Sequence, residues 1–311
     1  MGFATALTCT QLYPHFPHLL LLLLLLNISD LHVNAQLSSS FYETSCPTVV
    51  TVVEGVVRQA IEAEARMAAS LLRLHFHDCF VHGCDGPVLL DDTATVTGEK
   101  TALPNNNSIR GFEVVDEIKS AVEAVCNATV SCADILALAA NASATLVGGP
   151  SWTVLLGRRD ATNPASIAEV TAALPNPNSD MPTIIGRFAA VGLNVEDTVA
   201  LSGGHTIGQA RCVSFSARLY NFSGTGAPDP AIDADFLASL QSTCPQGGDA
   251  NVLRPLDATT ADTFDVGYYS NLQSNRGLLQ SDQELTSDAN TAPLTAPQGE
   301  IRLNCHVVNS A

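Results

Sequence analysis

From Val49 to Leu74 apolar residues recur at helical spacing, with alanine, glutamate and arginine between them and neither glycine nor proline after Gly55. Such a run predicts a long amphipathic helix that must bury one face. It runs into Arg73-Leu74-His75-Phe76-His77-Asp78-Cys79-Phe80. Arg73 and His77 stand four residues apart, so a helix carries both on one face. An imidazole beside a permanent cation suits chemistry on a small polar molecule: one moves a proton, the other stabilises developing charge. The helical period returns over Phe112–Val125, and Ser131–Leu146 reads as an apolar helix buried on most sides. Asn194 can cap a short helix to Leu201, with Asp197 in its first turn and Gly203-Gly204 as its stop. Ala231–Ser242 reads as another helix. Strand signals are few, Trp152–Leu156 being the best, and the Pro- and Asn-rich stretches 103–108, 174–182 and 224–230 read as loops. The expected fold class is mainly α.

Leu19 to Leu26 is an unbroken leucine run, shorter than the about 20 residues a bilayer span needs. Polar residues and then Val33-Asn34-Ala35 follow, in the pattern of a cleavage site, although no Lys or Arg precedes the leucines. Residues 1–35 are therefore expected to be a secretory signal, and 36–311 one domain of a secreted, extracellular protein. No other apolar run is long enough for a membrane. A formal charge of −17 argues against nucleic acid and anionic membranes as partners. Of nine cysteines, Cys9 falls in the leader. The remaining eight allow 105 pairings, among which the sequence does not choose. Secretion favours disulfides over the alternative, a zinc site. N-glycosylation sequons stand at Asn106, Asn127, Asn141 and Asn221.

The second histidine of interest is His205, in Leu201-Ser202-Gly203-Gly204-His205-Thr206-Ile207-Gly208. A lone imidazole opposite a base and a cation is an arrangement that suits a haem acting on peroxide. Here the chain resembles the secretory plant (class III) haem peroxidases, from Gln36 to the C-terminus. The resemblance rests on Arg73 to Asp85, on Val130-Ser-Cys-Ala-Asp-Ile135, and on Gly148-Gly-Pro-Ser-Trp152 with Gly157-Arg-Arg-Asp160. It continues in Ala200 to Gly208, Ser281-Asp-Gln-Glu-Leu285 and Gly299-Glu-Ile-Arg-Leu-Asn-Cys305. Motifs in this order are specific where any one alone is modest.

The resemblance implies a haem-peroxidase fold with one haem b between a distal half, up to about Leu146, and a proximal half. It implies a monomer that reduces hydrogen peroxide to water and oxidises phenolic donors, such as lignin precursors, by one-electron steps. His77 becomes the acid–base, with Arg73 keeping it neutral and stabilising charge. Asn105 accepts from the distal imidazole and Glu99 is the next link. Phe76 walls the pocket, and Pro175 lies at the donor-binding edge. His205 becomes the iron ligand and Asp282 the acceptor of its other N–H, which makes the imidazole more electron-rich. His75 and His82 are read as structural or exposed. Two calcium sites are implied: a distal one from Asp78, the carbonyls of Val81 and Gly83, and Asp85, with Glu99 nearby, and a proximal one from Thr206, Asp257, Thr260, the carbonyl of Thr263, and Asp265. The implied disulfides are Cys46–Cys126, Cys79–Cys84, Cys132–Cys305 and Cys212–Cys244.

The chain departs from the family pattern twice. Pro87 stands where a serine hydroxyl is called for, which weakens the distal calcium site. A helical segment of roughly thirty residues between Asn290 and Pro293 is missing, and Pro293 and Pro297 leave no room for a helix there. The alternative expectation is therefore a haem-poor, catalytically weak, disulfide-bonded relative.

Overall fold

The computed structural model describes residues 36–295, so the leader and Cys305 lie outside it. Eleven α-helices and two short strands are formed among these residues, as the mainly α expectation requires. The compact unit begins at Leu37.

Four helices build the distal part: α1 (Val49–Ala63), α2 (Met67–Cys79), α3 (Phe112–Val125) and α4 (Cys132–Leu146). The Ser131 side chain accepts from the Asp134 backbone N–H and so caps α4. Small residues throughout α4 let its neighbours approach closely; Ala133, Ile135, Leu136, Ala139 and Ala140 lose all exposure. α4 packs against α2, α1 and α3, which makes it the axis that fixes the two site-bearing turns of α2. Cys46–Cys126 ties the start of α1 to the end of α3.

A second core gathers α5 (Ile167–Ala173), α6 (Met181–Ala190), α7 (Val195–Ser202) and α10 (Gly267–Gln273) around Met181, Phe188, Tyr268 and Leu272. A third joins α8 (Ser216–Tyr220) and α9 (Ala234–Thr243) to Leu278 and Leu279, ahead of α11 (Gln280–Glu284), with Cys212–Cys244 as its brace. Strands β1 (Gln209–Arg211) and β2 (Leu253–Pro255) pair antiparallel.

The long first helix is two helices. Glu64 leaves the helix in an extended conformation and its carboxylate takes both Arg110 guanidinium N–H groups at 2.7 Å. The run breaks at Glu64 although neither glycine nor proline stands there. Among the described residues Trp152–Leu156 forms no strand, and Leu156 makes an isolated bridge to Ser38. Gly203-Gly204 ends α7 but does not stop the chain turning, since a 3₁₀ turn continues over Gly203–Thr206. The Ala231 helix starts later, at Ala234, under an Asp233 cap. Of the sequons, Asn141 is inside α4 and its side-chain amide donates to the Trp152 carbonyl at 3.0 Å, so it is committed to packing. Asn106, Asn127 and Asn221 are exposed.

Asp134 is the buried charge on which this frame leans. It accepts from the Tyr42 hydroxyl (2.8 Å), the Gly157 N–H (2.7 Å) and the Arg158 guanidinium (3.1 Å), and its side chain has no exposure. Asp134→Ala removes one partner of a buried ion pair together with the acceptor of Tyr42 and Gly157, and the expected loss is about 3–5 kcal/mol, read as a lower thermal midpoint.

Candidate active site

α2 ends at the site. His77 is buried, and its Nδ1 lies 2.6 Å from Asn105 Oδ1. The Asn105 amide nitrogen donates to the Glu99 main-chain carbonyl at 2.9 Å, which makes Oδ1 the acceptor end. His77 therefore carries its proton on Nδ1, which leaves Nε2 unprotonated and able to act as a base. The link from Asn105 to Glu99 runs through the main chain; the Glu99 carboxylate instead accepts from the Ala165 N–H. Burial first, then the Arg73 charge, push the His77 imidazole well below the ordinary histidine range, against the opposing Asn105 bond. Arg73 donates to the carbonyls of Ser108 and Pro104, at 3.0 and 3.1 Å. The loop that holds Asn105 thus also holds the guanidinium. Burial, then Arg66 and Arg211, bring Arg73 down to about 10, which leaves it cationic at neutral pH. Phe76 packs edge-on to His77 and against Phe80 and Phe188. His75 is buried, pushed down to about 3 by burial and Arg158, while His82 is exposed.

His205 sits on the 3₁₀ turn after α7. Its Nδ1 is 2.8 Å from Asp282 Oδ1, and the Asp282 side chain is 3% exposed. Burial pulls the imidazole down, but the charge and hydrogen bond of Asp282 outweigh it, so the net shift is upward. His205 keeps 40% of its side chain accessible even though burial is the first effect on it. The Arg73 charge also depresses His205, so the guanidinium lies within electrostatic reach of the ring. Gly203 is needed here because a Cβ would meet the Tyr269 hydroxyl at 2.6 Å; at Gly208 it would meet Ala69 of α2 at 2.9 Å.

These residues fit a haem. With Nδ1 engaged by a carboxylate, His205 has Nε2 free as a neutral donor, the usual form of a haem ligand. Arg73, with the charges of Arg66 and Arg211 near enough to depress it, makes a cationic surrounding that suits an anionic cofactor. Pro175 is partly exposed in the loop after α5, and that loop is pinned by the Ser281 N–H to the Pro177 carbonyl (3.0 Å), one residue from Asp282.

Both calcium sets fit a hard cation. Distally, one oxygen each of Asp78, Asp85 and Glu99 is buried without a hydrogen-bond partner. Burial and the like charges of Asp85 and Glu99 hold Asp78 well above the carboxylate range, opposed by the bond from the Gly86 N–H. Gly83 has φ +116°, and Pro87 opens a 3₁₀ turn behind Gly86 without displacing that bond. Proximally, a Cβ on Gly267 would lie 2.7–2.8 Å from Asp257 Oδ2, Asp265 Oδ1 and Thr260 Oγ1, so three oxygens converge on one point. Thr206 reaches Asp265 at 3.4 Å, and Thr263 closes the turn onto the Thr260 carbonyl.

Sequence reasoning passed over Gly267, Tyr268 and Arg218. Tyr268 donates to Asp282 at 3.0 Å. Arg218, fully buried and paired with Asp229, donates to the Gly277 carbonyl and so fixes the approach to α11. Nothing in their local pattern marks them; contacts distant in sequence do. Three of the implied disulfides are formed; Cys132–Cys305 lies outside the described residues. Among the described residues, the one metal-type grouping that includes cysteines is His75 with Cys79 and Cys84, whose sulfurs are joined to each other.

The family described as Peroxidase matches residues 53–299. The chain belongs to the peroxidase family. It is 51% identical to Peroxidase 15 of Ipomoea batatas, over 94% of this chain and 99% of that one. It is 48% identical to Peroxidase 54 of Arabidopsis thaliana (89% and 85%) and 47% to Peroxidase N of Armoracia rusticana (94% and 97%). These are plant class III peroxidases, and the chain is a peroxidase enzyme of a family that binds haem and calcium. The alignment with Peroxidase 15 spans 325 positions, more than the 311 residues here, so part of that relative has no counterpart in this chain.

Two substitutions test the cation sites by metal analysis after dialysis against a chelator. Gly267→Ala is expected to release the proximal ion, since the methyl occupies the point where the three oxygens meet. Pro87→Ser is expected to raise distal calcium retention; equal retention in both forms means that the hydroxyl is dispensable.

Proposed function

We propose that this chain is a secreted, monomeric haem peroxidase that reduces hydrogen peroxide and oxidises small phenols, its leader 1–35 being removed on export. The observation that carries the reading is the presence of two imidazoles, each oriented by a side chain: His77 by Asn105 and His205 by Asp282. His205 Nε2 would hold the haem iron, which when bound would supply the binding position for peroxide and give up two electrons to it. His77 Nε2 takes the proton from the inner peroxide oxygen and returns it to the outer one, so that water departs. Arg73, fixed to two carbonyls, stabilises the negative charge that develops as the O–O bond breaks. Phe76, Phe80 and Phe188 exclude bulky molecules from this side, which leaves the edge near Pro175 for donors. Among the described residues no helix is long and apolar enough to cross a membrane, in keeping with export of the whole domain.

The unmatched positions in the alignment with Peroxidase 15 leave room for a second reading, in which a segment missing after Asn290 leaves haem weakly held. The Soret absorbance per purified chain separates the two. Stoichiometric haem and ordinary phenol oxidation sink the second; a protein without a Soret band sinks the first.

His77→Ala is expected to keep haem and to slow the stopped-flow reaction with peroxide by about 10²–10⁴-fold. His205→Ala is expected to lose stable haem instead, and a retained five-coordinate spectrum would remove it as the ligand. The depressed His77 value means that the base stays unprotonated below the ordinary histidine range. Arg73→Leu lifts one cause of that depression, so the rate should begin to fall at higher pH than in the parent, as well as being slower throughout.

A further inference from the structure

Asp282 presents one oxygen to two donors. His205 Nδ1 lies 2.8 Å from Oδ1, and the Tyr268 hydroxyl lies 3.0 Å from the same atom. The other oxygen, Oδ2, is buried and has no hydrogen-bond partner. Tyr268 is 1% exposed, and its ring stands edge-on to His205 with centroids 6.3 Å apart. It belongs to the first turn of α10, immediately after Gly267, so its hydroxyl is placed by the same turn that gathers the proximal oxygens. A phenol could have been satisfied elsewhere, as Tyr269 next to it is by the Val199 carbonyl at 2.7 Å.

A carboxylate oxygen has lone pairs enough for two donors, but the charge that each donor draws on is shared. The stronger the pull of Asp282 on the His205 N–H, the more electron-rich the far nitrogen becomes, and the more oxidised iron is favoured there. A second donor on that same oxygen weakens the pull.

We propose that Tyr268 is a positioning residue that sets the donor strength of His205 by competing with it for Asp282 Oδ1. The hydroxyl keeps the imidazole less anionic than the His–Asp pair alone would make it. It also supplies part of the solvation that a buried carboxylate with one empty oxygen requires. The effect on iron rests on the haem reading above; the sharing of Oδ1 does not.

Tyr268→Phe removes the competing hydroxyl and little else. In the haem-loaded full chain the preference for ferric over ferrous iron is expected to rise by up to about tenfold, a shift of about 59 mV to more negative potential. The iron–imidazole stretching frequency should rise with it. In the haem-free chain the His205 Nδ1–H proton resonance is expected to move downfield. In an Asp282→Asn background the same change should move neither reading. Biosynthetic replacement of tyrosine by a ring-fluorinated analogue, a stronger O–H donor, should shift the resonance the opposite way. That arm serves where Tyr268→Phe fails to fold. If the chain binds no haem, the function reading fails while the proton resonance still decides this one. An unmoved resonance in Tyr268→Phe, or equal shifts with and without Asp282, overturns the proposal.

Discussion

Burying a carboxylate is expensive unless donors meet it, and Asp282 is almost wholly buried with donors on one oxygen alone. Much of the proximal part is arranged to make that tolerable. α10 delivers the Tyr268 hydroxyl, the 3₁₀ turn delivers His205, and Arg218 holds the chain entering α11 so that the aspartate arrives between them. Gln283, the next residue, receives the Gly277 N–H and gives its amide to the Leu272 carbonyl, which locks α11 against α10. His205 is thus oriented by a buried carboxylate that α10 and α11 hold in place.

The distal side solves a different problem. A base must stay neutral and a cation must stay charged within one helix turn of each other. Burial depresses both, but it moves an arginine only to about 10 while taking a histidine well below neutrality, so one environment gives the required states. The loop 104–108 then does two things at once. Its carbonyls hold the guanidinium and its Asn105 side chain selects the tautomer. The Cys79–Cys84 bridge closes the segment just beyond, where the carboxylates of Asp78 and Asp85 crowd Glu99 and leave oxygens without hydrogen-bond partners. That crowding is costly to a bare protein and useful to one that holds a divalent cation.

The departures from the family pattern meet this framework unevenly. Pro87 fits its turn, because Gly86 adopts the left-handed conformation ahead of it and still donates to Asp78. The chain after Asn290 takes a short 3₁₀ turn over Ala292–Leu294, with Thr291 and Thr295 buried and Thr295 bonded to Gln273 of α10. The His205–Asp282 pair is held by Tyr268 and by the placing of α11, and the chain after Asn290 makes contacts of its own.

What the sequence determined by itself was whatever depends on near neighbours. Helical period placed α3 and α4 closely, the Asn194 cap placed the start of α7, and the spacing of Arg73 and His77 placed both on one face. The resemblance named most of the site, because its motifs hold the reacting residues in short runs. Tertiary structure decided the rest. The long helix broke at Glu64, Trp152–Leu156 formed no strand among the described residues, and the Asn141 amide went to a carbonyl eleven residues away. Tyr268 and Gly267 are ordinary residues in their own windows. They matter because folding brings a phenol to Asp282 and leaves room for three oxygens to meet, and neither distance is written in local periodicity.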